Sequence, residues 1–214
     1  MANSDKKADT KKKAKAEKWD VVVIGAGPAG YVAAIRCAQL GMKTLCVDEW
    51  IDHKGDSTLG GTCLNVGCIP SKALLESSHL FKQAKDDFSQ HGISASSLKV
   101  DVKTMIARKQ QIVAELTNGI RTLFKANKVD EFHGRAKITA QHSVVIYDRN
   151  THKKIKKVKA ENIIIATGSS PVRLQQAMIQ DDYIIDSAAA LELDKVPKRL
   201  GIIGAGAIGL ELGS

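Results

Sequence analysis

Apolar and polar positions change their period several times along this chain, and each change predicts an element. Residues 21–24 are four consecutive branched apolar residues, the mark of a strand buried on both faces. A glycine-rich turn, residues 25–30, follows, and helical spacing runs over 28–40 until Gly41 ends it. Residues 44–47 read as a second strand, completing a β-α-β unit of the kind that opens a doubly wound sheet. A polar, glycine-rich loop covers 52–61, and Ala73, Leu74, Leu80, Phe81 and Ala84 lie along one side of a helix predicted from 70 to about 90. Gly92 closes it, and a second long helix is predicted over 102–127. The period then falls to two. Residues 129–138, 143–147 and 154–158 predict a small antiparallel meander, residues 162–166 a return to a buried strand, and residues 200–203 one more strand before a turn and a helix.

The expected class is therefore α/β: a doubly wound nucleotide-binding domain carrying a small antiparallel meander, then the first β-α of a second such domain. The expected division is a lysine-rich disordered tail at 1–18, a first domain at 19–196 and the opening of another at 197–214.

Charge changes this picture little. The formal charge is +9, but seven lysines against three acids in the first eighteen residues leave +4 in the tail alone. A basic nucleic-acid surface is accordingly not expected, and apolar runs of at most five residues are far below the roughly 20 a membrane span needs. The tail has neither an apolar core nor a small-residue cleavage site, and its lysines and acids are unlike a mitochondrial transit peptide, so a cytoplasmic protein is expected. In such a reducing compartment the four cysteines are more readily catalytic than structural.

Two motifs carry chemistry. Gly25-Ala26-Gly27-Pro28-Ala29-Gly30 follows a strand and opens a helix, the context in which GxGxxG binds a dinucleotide. The first glycine permits the turn, the second lets a pyrophosphate approach the backbone, and the third lets helix and strand pack closely. Asp48, directly after the second strand, is the expected ribose ligand, with Glu49 the second candidate. In Gly60-Gly61-Thr62-Cys63-Leu64-Asn65-Val66-Gly67-Cys68-Ile69-Pro70-Ser71-Lys72, two cysteines with four residues between them stand at a helix mouth. They can close a disulfide if the intervening residues coil, and a helix N-terminus favours a thiolate. No further Cys or His follows at ligand spacing, so no metal is expected. Cys37 and Cys46 have no such context and read as small buried apolar residues.

This second motif, continuing through Ala73-Leu74-Leu75, resembles the active-site signature of the dihydrolipoamide dehydrogenases, within the flavin disulfide reductases (pyridine nucleotide-disulfide oxidoreductases). Glutathione and mercuric reductases are the alternatives, as is a non-catalytic FAD-binding fragment. The resemblance runs from Trp19 to Ser214. It implies FAD and NAD as cofactors, and places Gly134-Arg135-Ala136 against the adenine and Thr167-Gly168-Ser169 beside the flavin. Asp186-Ser187 and Val196-Pro197 fall in the connection to the nicotinamide domain. Gly204, Gly206 and Gly209, with Glu211 close by, form the fingerprint of that NAD-binding domain. By resemblance Cys63 is the interchange thiol, Cys68 the charge-transfer thiol, and Lys72 the cation near flavin N5. The resemblance also implies dihydrolipoamide, carried on lipoyl domains of 2-oxo acid dehydrogenase complexes, as substrate, and a homodimer for the full enzyme. The family's histidine base belongs to a later domain, and no histidine here matches its motif. The chain is thus expected to be a front portion, without turnover of its own.

Overall fold

The computed structural model describes residues 17–52, 54–172, 174 and 183–214, so the expected disorder of residues 1–16 lies outside the described residues. The first strand, β1 (Lys18–Ile24), already includes Lys18, and Glu17 accepts a hydrogen bond from the Lys159 amide (2.9 Å). Residues 17 and 18, expected in the tail, are instead paired with β6.

Helix α1 (Pro28–Gln39) and strand β2 (Thr44–Asp48) follow as expected, with Gly41 at φ +83° turning the chain between them. Next come α2 (Gly61–Val66), α3 (Cys68–Asp86), and α4 (Val102–Ala126), whose N-cap Asp101 accepts from the Thr104 amide at 3.2 Å. The expected helix from residue 70 begins earlier, since Pro70 tolerates a first helical turn, where its missing N–H is not needed. A 3-10 turn, Phe88–His91, ends at Gly92.

Strands β3 (Asp130–His133), β4 (Arg135–Ala140), β5 (Ser143–Tyr147) and β6 (Lys154–Ile165) complete one six-stranded sheet of order β3-β2-β1-β6-β5-β4. Three expectations are corrected here. Residues 129–138 form two strands, divided at Gly134, whose φ of +152° turns the chain from β3, parallel to β2, into β4, antiparallel to β5. Residues 154–158 and 162–166 belong to a single strand: β6 pairs with β5 antiparallel along its first half and with β1 in parallel along its second half, from Lys159 to Ile165. Residues 200–203 form no strand, and Ile203 is 79% exposed. No described strand lies beside them, and a parallel strand has no stability without a partner.

Alternation along β1 and β2 builds two cores. Val21, Val23 and Cys46 face α1, α2 and α4, meeting Ala34, Leu64, Ile120 and Phe124. Val22, Ile24, Leu45 and Val47 face the other way, against Val144, Ile146, Val158 and Ala160 of the meander. Helices thus cover one face and the curled meander the other, which gives the α/β class its layers. Trp19 locks the far end of β1: its indole donates to Asp130 (2.9 Å), and Lys43 and Lys156 stand 4.8 and 5.4 Å from its ring centroid. The carboxyl ends of β1, β2 and β6 are left to face the site.

Candidate functional site

The glycine turn is built by contacts that leave no room for side chains. Gly25 has φ +103°, and a Cβ on it would sit 2.1 Å from the Ala166 carbonyl oxygen; one on Gly30 would sit 1.8 Å from the Gly25 oxygen. Gly27 differs. Its φ of −70° and ψ of −177° suit any residue, and its added Cβ would meet only the Gly61 Cα, at 3.7 Å. The protein's own packing does not require glycine there, and the space it leaves opens on a cleft.

That cleft has a volume of about 1190 Å³, above the roughly 300–1,000 Å³ of sites for drug-sized ligands. Gly25, Gly27 and Pro28 line it from the turn, Asp48 and Glu49 from the end of β2, and Gly134 and Ala136 from β4 and its approach. Gly61, Thr62, Cys63, Cys68 and Lys72 line it from α2 and α3, and Thr167, Gly168 and Ser169 from beyond β6. Of the sequence candidates, Ala29, Gly30, Gly204, Gly206 and Gly209 do not line it. Ala29 is exposed on α1 and Gly30 is consumed by packing.

The second glycine fingerprint still forms as a local turn. Gly204 has φ +106°, and a Cβ on Gly209 would lie 2.2 Å from the Gly204 oxygen, repeating the first turn's geometry before α6 (Ala207–Gly213).

Asp48 is half-buried and occupied. Its carboxylate accepts from the Ala26 amide and, at 2.6 Å, from the Trp50 amide, tying the glycine turn to the chain beyond β2. The carbonyl of Asp48 accepts from Gly134 (2.8 Å), which brings the β4 approach to the same place. Glu49 points to Arg135, 3.9 Å away.

The cysteine segment is two helices broken at Gly67, where a Cβ would come within 2.9 Å of the Thr62 oxygen. Cys63 lies in the first turn of α2, and Cys68 is the first residue of α3, so the two thiols stand at the starts of two helices and not of one. Both are free thiols here, Cys63 half-buried and Cys68 exposed. Burial, and then its hydrogen bond to the Cys68 side chain, push the Cys63 thiol above the ordinary 9.0, while Lys72 pulls the other way. Cys46 is buried, as expected, and burial raises its thiol further; Cys37 is half-buried among apolar residues.

Lys72 has a partner that sequence reading did not supply. Its Nζ lies 2.5 and 2.6 Å from the two oxygens of Glu211 on α6, and the Ser71 hydroxyl is 3.4 Å from the same carboxylate. Glu211 is legible as part of the second fingerprint, but the 139 residues separating it from Lys72 hide the pairing. The Lys72 ammonium holds the Glu211 carboxyl below its ordinary 4.5. A lowered pKa makes the contact fully present above pH 4.5, and lost only as pH falls below that through the shifted value. Hydrogen exchange across this range should show the α6 amides losing protection below pH 4.5, and Glu211→Gln should remove the pH dependence. A Gln variant that keeps the same acid transition would show that another group docks α6.

A match over residues 19–214 to the model of the pyridine nucleotide-disulphide oxidoreductases agrees with this arrangement of glycine turn, paired thiols and lysine. The chain belongs to that family. It is similar to leghemoglobin reductase of Vigna unguiculata, 50% identical over 195 residues, covering 91% of this chain and 36% of that protein. Dihydrolipoyl dehydrogenase 1, mitochondrial, of Arabidopsis thaliana is 49% identical, covering 91% and 37%, and dihydrolipoyl dehydrogenase of Cupriavidus necator 46%, covering 92% and 42%. The chain thus spans well under half the length of these curated relatives.

Members of this family use FAD and NAD. The residues present fit a dinucleotide: the room beside Gly27, the carboxylate at the end of β2 and the long cleft are what an extended nucleotide requires. The cytoplasmic placement expected from the tail is overturned, since several relatives, from Arabidopsis, Pisum sativum and Bos taurus, are named mitochondrial. Among the described residues no helix is long and apolar enough to cross a membrane.

Proposed function

We propose that this chain forms the flavin- and disulfide-bearing part of a dihydrolipoyl dehydrogenase, one that oxidises dihydrolipoamide on lipoyl domains of 2-oxo acid dehydrogenase complexes as a homodimer. The observation that carries the reading is that Cys63, Cys68 and Lys72 line the same cleft as the Gly25–Gly27 turn and Asp48. Gly27 and the start of α1 receive the pyrophosphate, Asp48 and Glu49 the ribose, Gly134 and Ala136 the adenine, and Thr167, Gly168 and Ser169 the flavin side. Residues 19–196 form this unit, and residues 197–214, with Gly204, Gly206 and Gly209, open the NAD-binding one.

FAD, if held there by these residues, would supply a two-electron acceptor between the thiols and NAD+. The chain supplies the thiols. In the oxidised state a substrate thiolate attacks Cys63, the Cys63–Cys68 bond breaks, and Cys68 leaves as thiolate. The second substrate thiol then displaces Cys63, so that lipoamide is oxidised and the protein holds two reduced sulfurs. Lys72, in reach of both Cys63 and Glu211, places a positive charge where negative charge accumulates.

The test is an anaerobic titration of the FAD-loaded chain with dithiothreitol, read by visible absorption beside Cys68→Ser. Expected is a long-wavelength band that grows in the unaltered chain and is missing in the variant. Flavin that binds without any thiol-dependent band would overturn the assignment of the pair.

A further inference from the structure

Besides its glycines and thiols, the cleft is lined by Ser187 of α5 (Ser187–Ala190), by Leu191 at that helix's C-cap, and by Ile208 and Glu211 of α6. Helices of four and seven residues do not hold their own shape, since isolated helices below about 12–15 residues are marginal. Where they lie depends on what they are tied to. Helix α5 packs against α6, and α6 against α3. The Asp186 carboxylate caps the start of α5, accepting from the Ala189 amide at 2.9 Å, and the Leu191 carbonyl at its end accepts from the Lys109 ammonium at 2.7 Å.

Three consecutive residues of α4 make the anchor. Arg108 donates to the Ala73 carbonyl of α3 (3.1 Å), Lys109 to Leu191 and to Glu192 (2.5 Å), and Gln110 to Glu192 (3.3 Å). Glu211 on Lys72, the residue before Ala73, closes the circuit from α3 through α4, α5 and α6 back to α3. Lys109 is 2% exposed, and burying an ammonium costs several kcal/mol that an apolar side chain of like volume does not. What lysine adds is a pair of directed contacts to the end of α5. We propose that Lys109 is a positioning residue of the thiol site: by fixing the end of α5 it holds α6 in place, and with it the Glu211 carboxylate on Lys72, so that part of the Lys72 charge is kept from Cys63.

The proposal rests on the reading of Cys63 as the thiol that exchanges with substrate, a reaction that depends on its thiolate fraction. Burial and Cys68 push the Cys63 thiol up, and Lys72 is the cation that pulls it down. On α4, which packs against both α2 and α3, Arg121 is taken by Ser57 and Glu131 and Arg108 by Ala73. Loosening the clasp therefore frees Lys72 from its counter-charge and favours the Cys63 thiolate.

The test is the pH dependence of Cys63 alkylation by iodoacetamide in the reduced chain, followed by peptide mass spectrometry. In Lys109→Met the midpoint should fall, making the rate at pH 7 about threefold higher, while the high-pH rate stays the same. Glu211→Gln should give the same shift, and adding Lys109→Met to it should give no more. An unmoved midpoint in either single variant, a further shift in the double variant, or a change confined to the high-pH rate, as mere loosening gives, would overturn the proposal. Cys46, 2% exposed, reports on the fold by staying unalkylated. Should Lys109→Met lose the fold by that measure, Glu192→Gln, at a site 46% exposed, makes the same test, and an unmoved midpoint there overturns the proposal. The flavin titration tests the role of the thiols separately: a midpoint that moves in a chain whose flavin shows no thiol-dependent band keeps the clasp and removes the exchange role.

Discussion

Gly27→Ala should fold as well as the unaltered chain and bind FAD at least tenfold more weakly, whereas Gly30→Ala, three residues on, should fail to fold stably. The two substitutions add the same methyl group to the same turn. At Gly30 that methyl would lie 1.8 Å from the Gly25 carbonyl oxygen, a backbone atom that cannot move without breaking the strand-to-helix junction. The expected loss is about 3 kcal/mol or more, at the upper end of overpacking effects. At Gly27 the methyl would meet one Cα at 3.7 Å, ordinary contact, on a backbone that alanine adopts freely. Gly-to-Ala changes at compatible positions stabilise by about 0.4–1 kcal/mol through the unfolded state. Thermal unfolding and FAD titration on both variants give the result. Undiminished FAD affinity in Gly27→Ala would mean that no pyrophosphate approaches this turn.

Lys109→Met should lower stability by about 1–3 kcal/mol, a drop in Tm of about 2–10 °C, although Lys109 does not itself line the cleft. Lys109 is 2% exposed on α4; its ammonium donates to the Leu191 carbonyl (2.7 Å) and lies 2.5 Å from Glu192, which is 46% exposed. It is the clasp between α4 and the segment after α5 (Ser187–Ala190) that leads on to α6. Methionine keeps the packing volume but removes the donor, leaving a buried carbonyl unpaired. Glu192 loses less, because water reaches it. Hydrogen exchange should show the amides of 188–191 opening first. An unchanged Tm would mean that desolvating the ammonium cancels its two contacts.

A buried lysine in this place also shows where sequence reading runs out. Lys109 stands in a stretch whose spacing predicts a helix, and the helix is there, yet nothing local distinguishes it from the exposed lysines around it. Its partners are 82 and 83 residues away. Glu211 and Lys72 repeat the case, 139 residues apart.

What the sequence determined by itself is whatever depends on a few neighbouring residues. The β-α-β opening, the cap at Asp101, and the turns at Gly41 and Gly92 follow from φ preferences and short-range hydrogen bonds. Both glycine fingerprints do too, the second forming its turn even though residues 200–203 pair with no described strand. The cysteine motif and its family resemblance belong here as well. Tertiary structure decided the rest. It divided residues 129–138 at Gly134, joined 154–165 into one strand serving two partners, and put Cys63 and Cys68 on two helices rather than one. It also brought Glu211 to Lys72. The physical reason is common to all four: strand pairing, burial and charge contact are made between segments distant along the chain, and no local preference encodes which of them will meet.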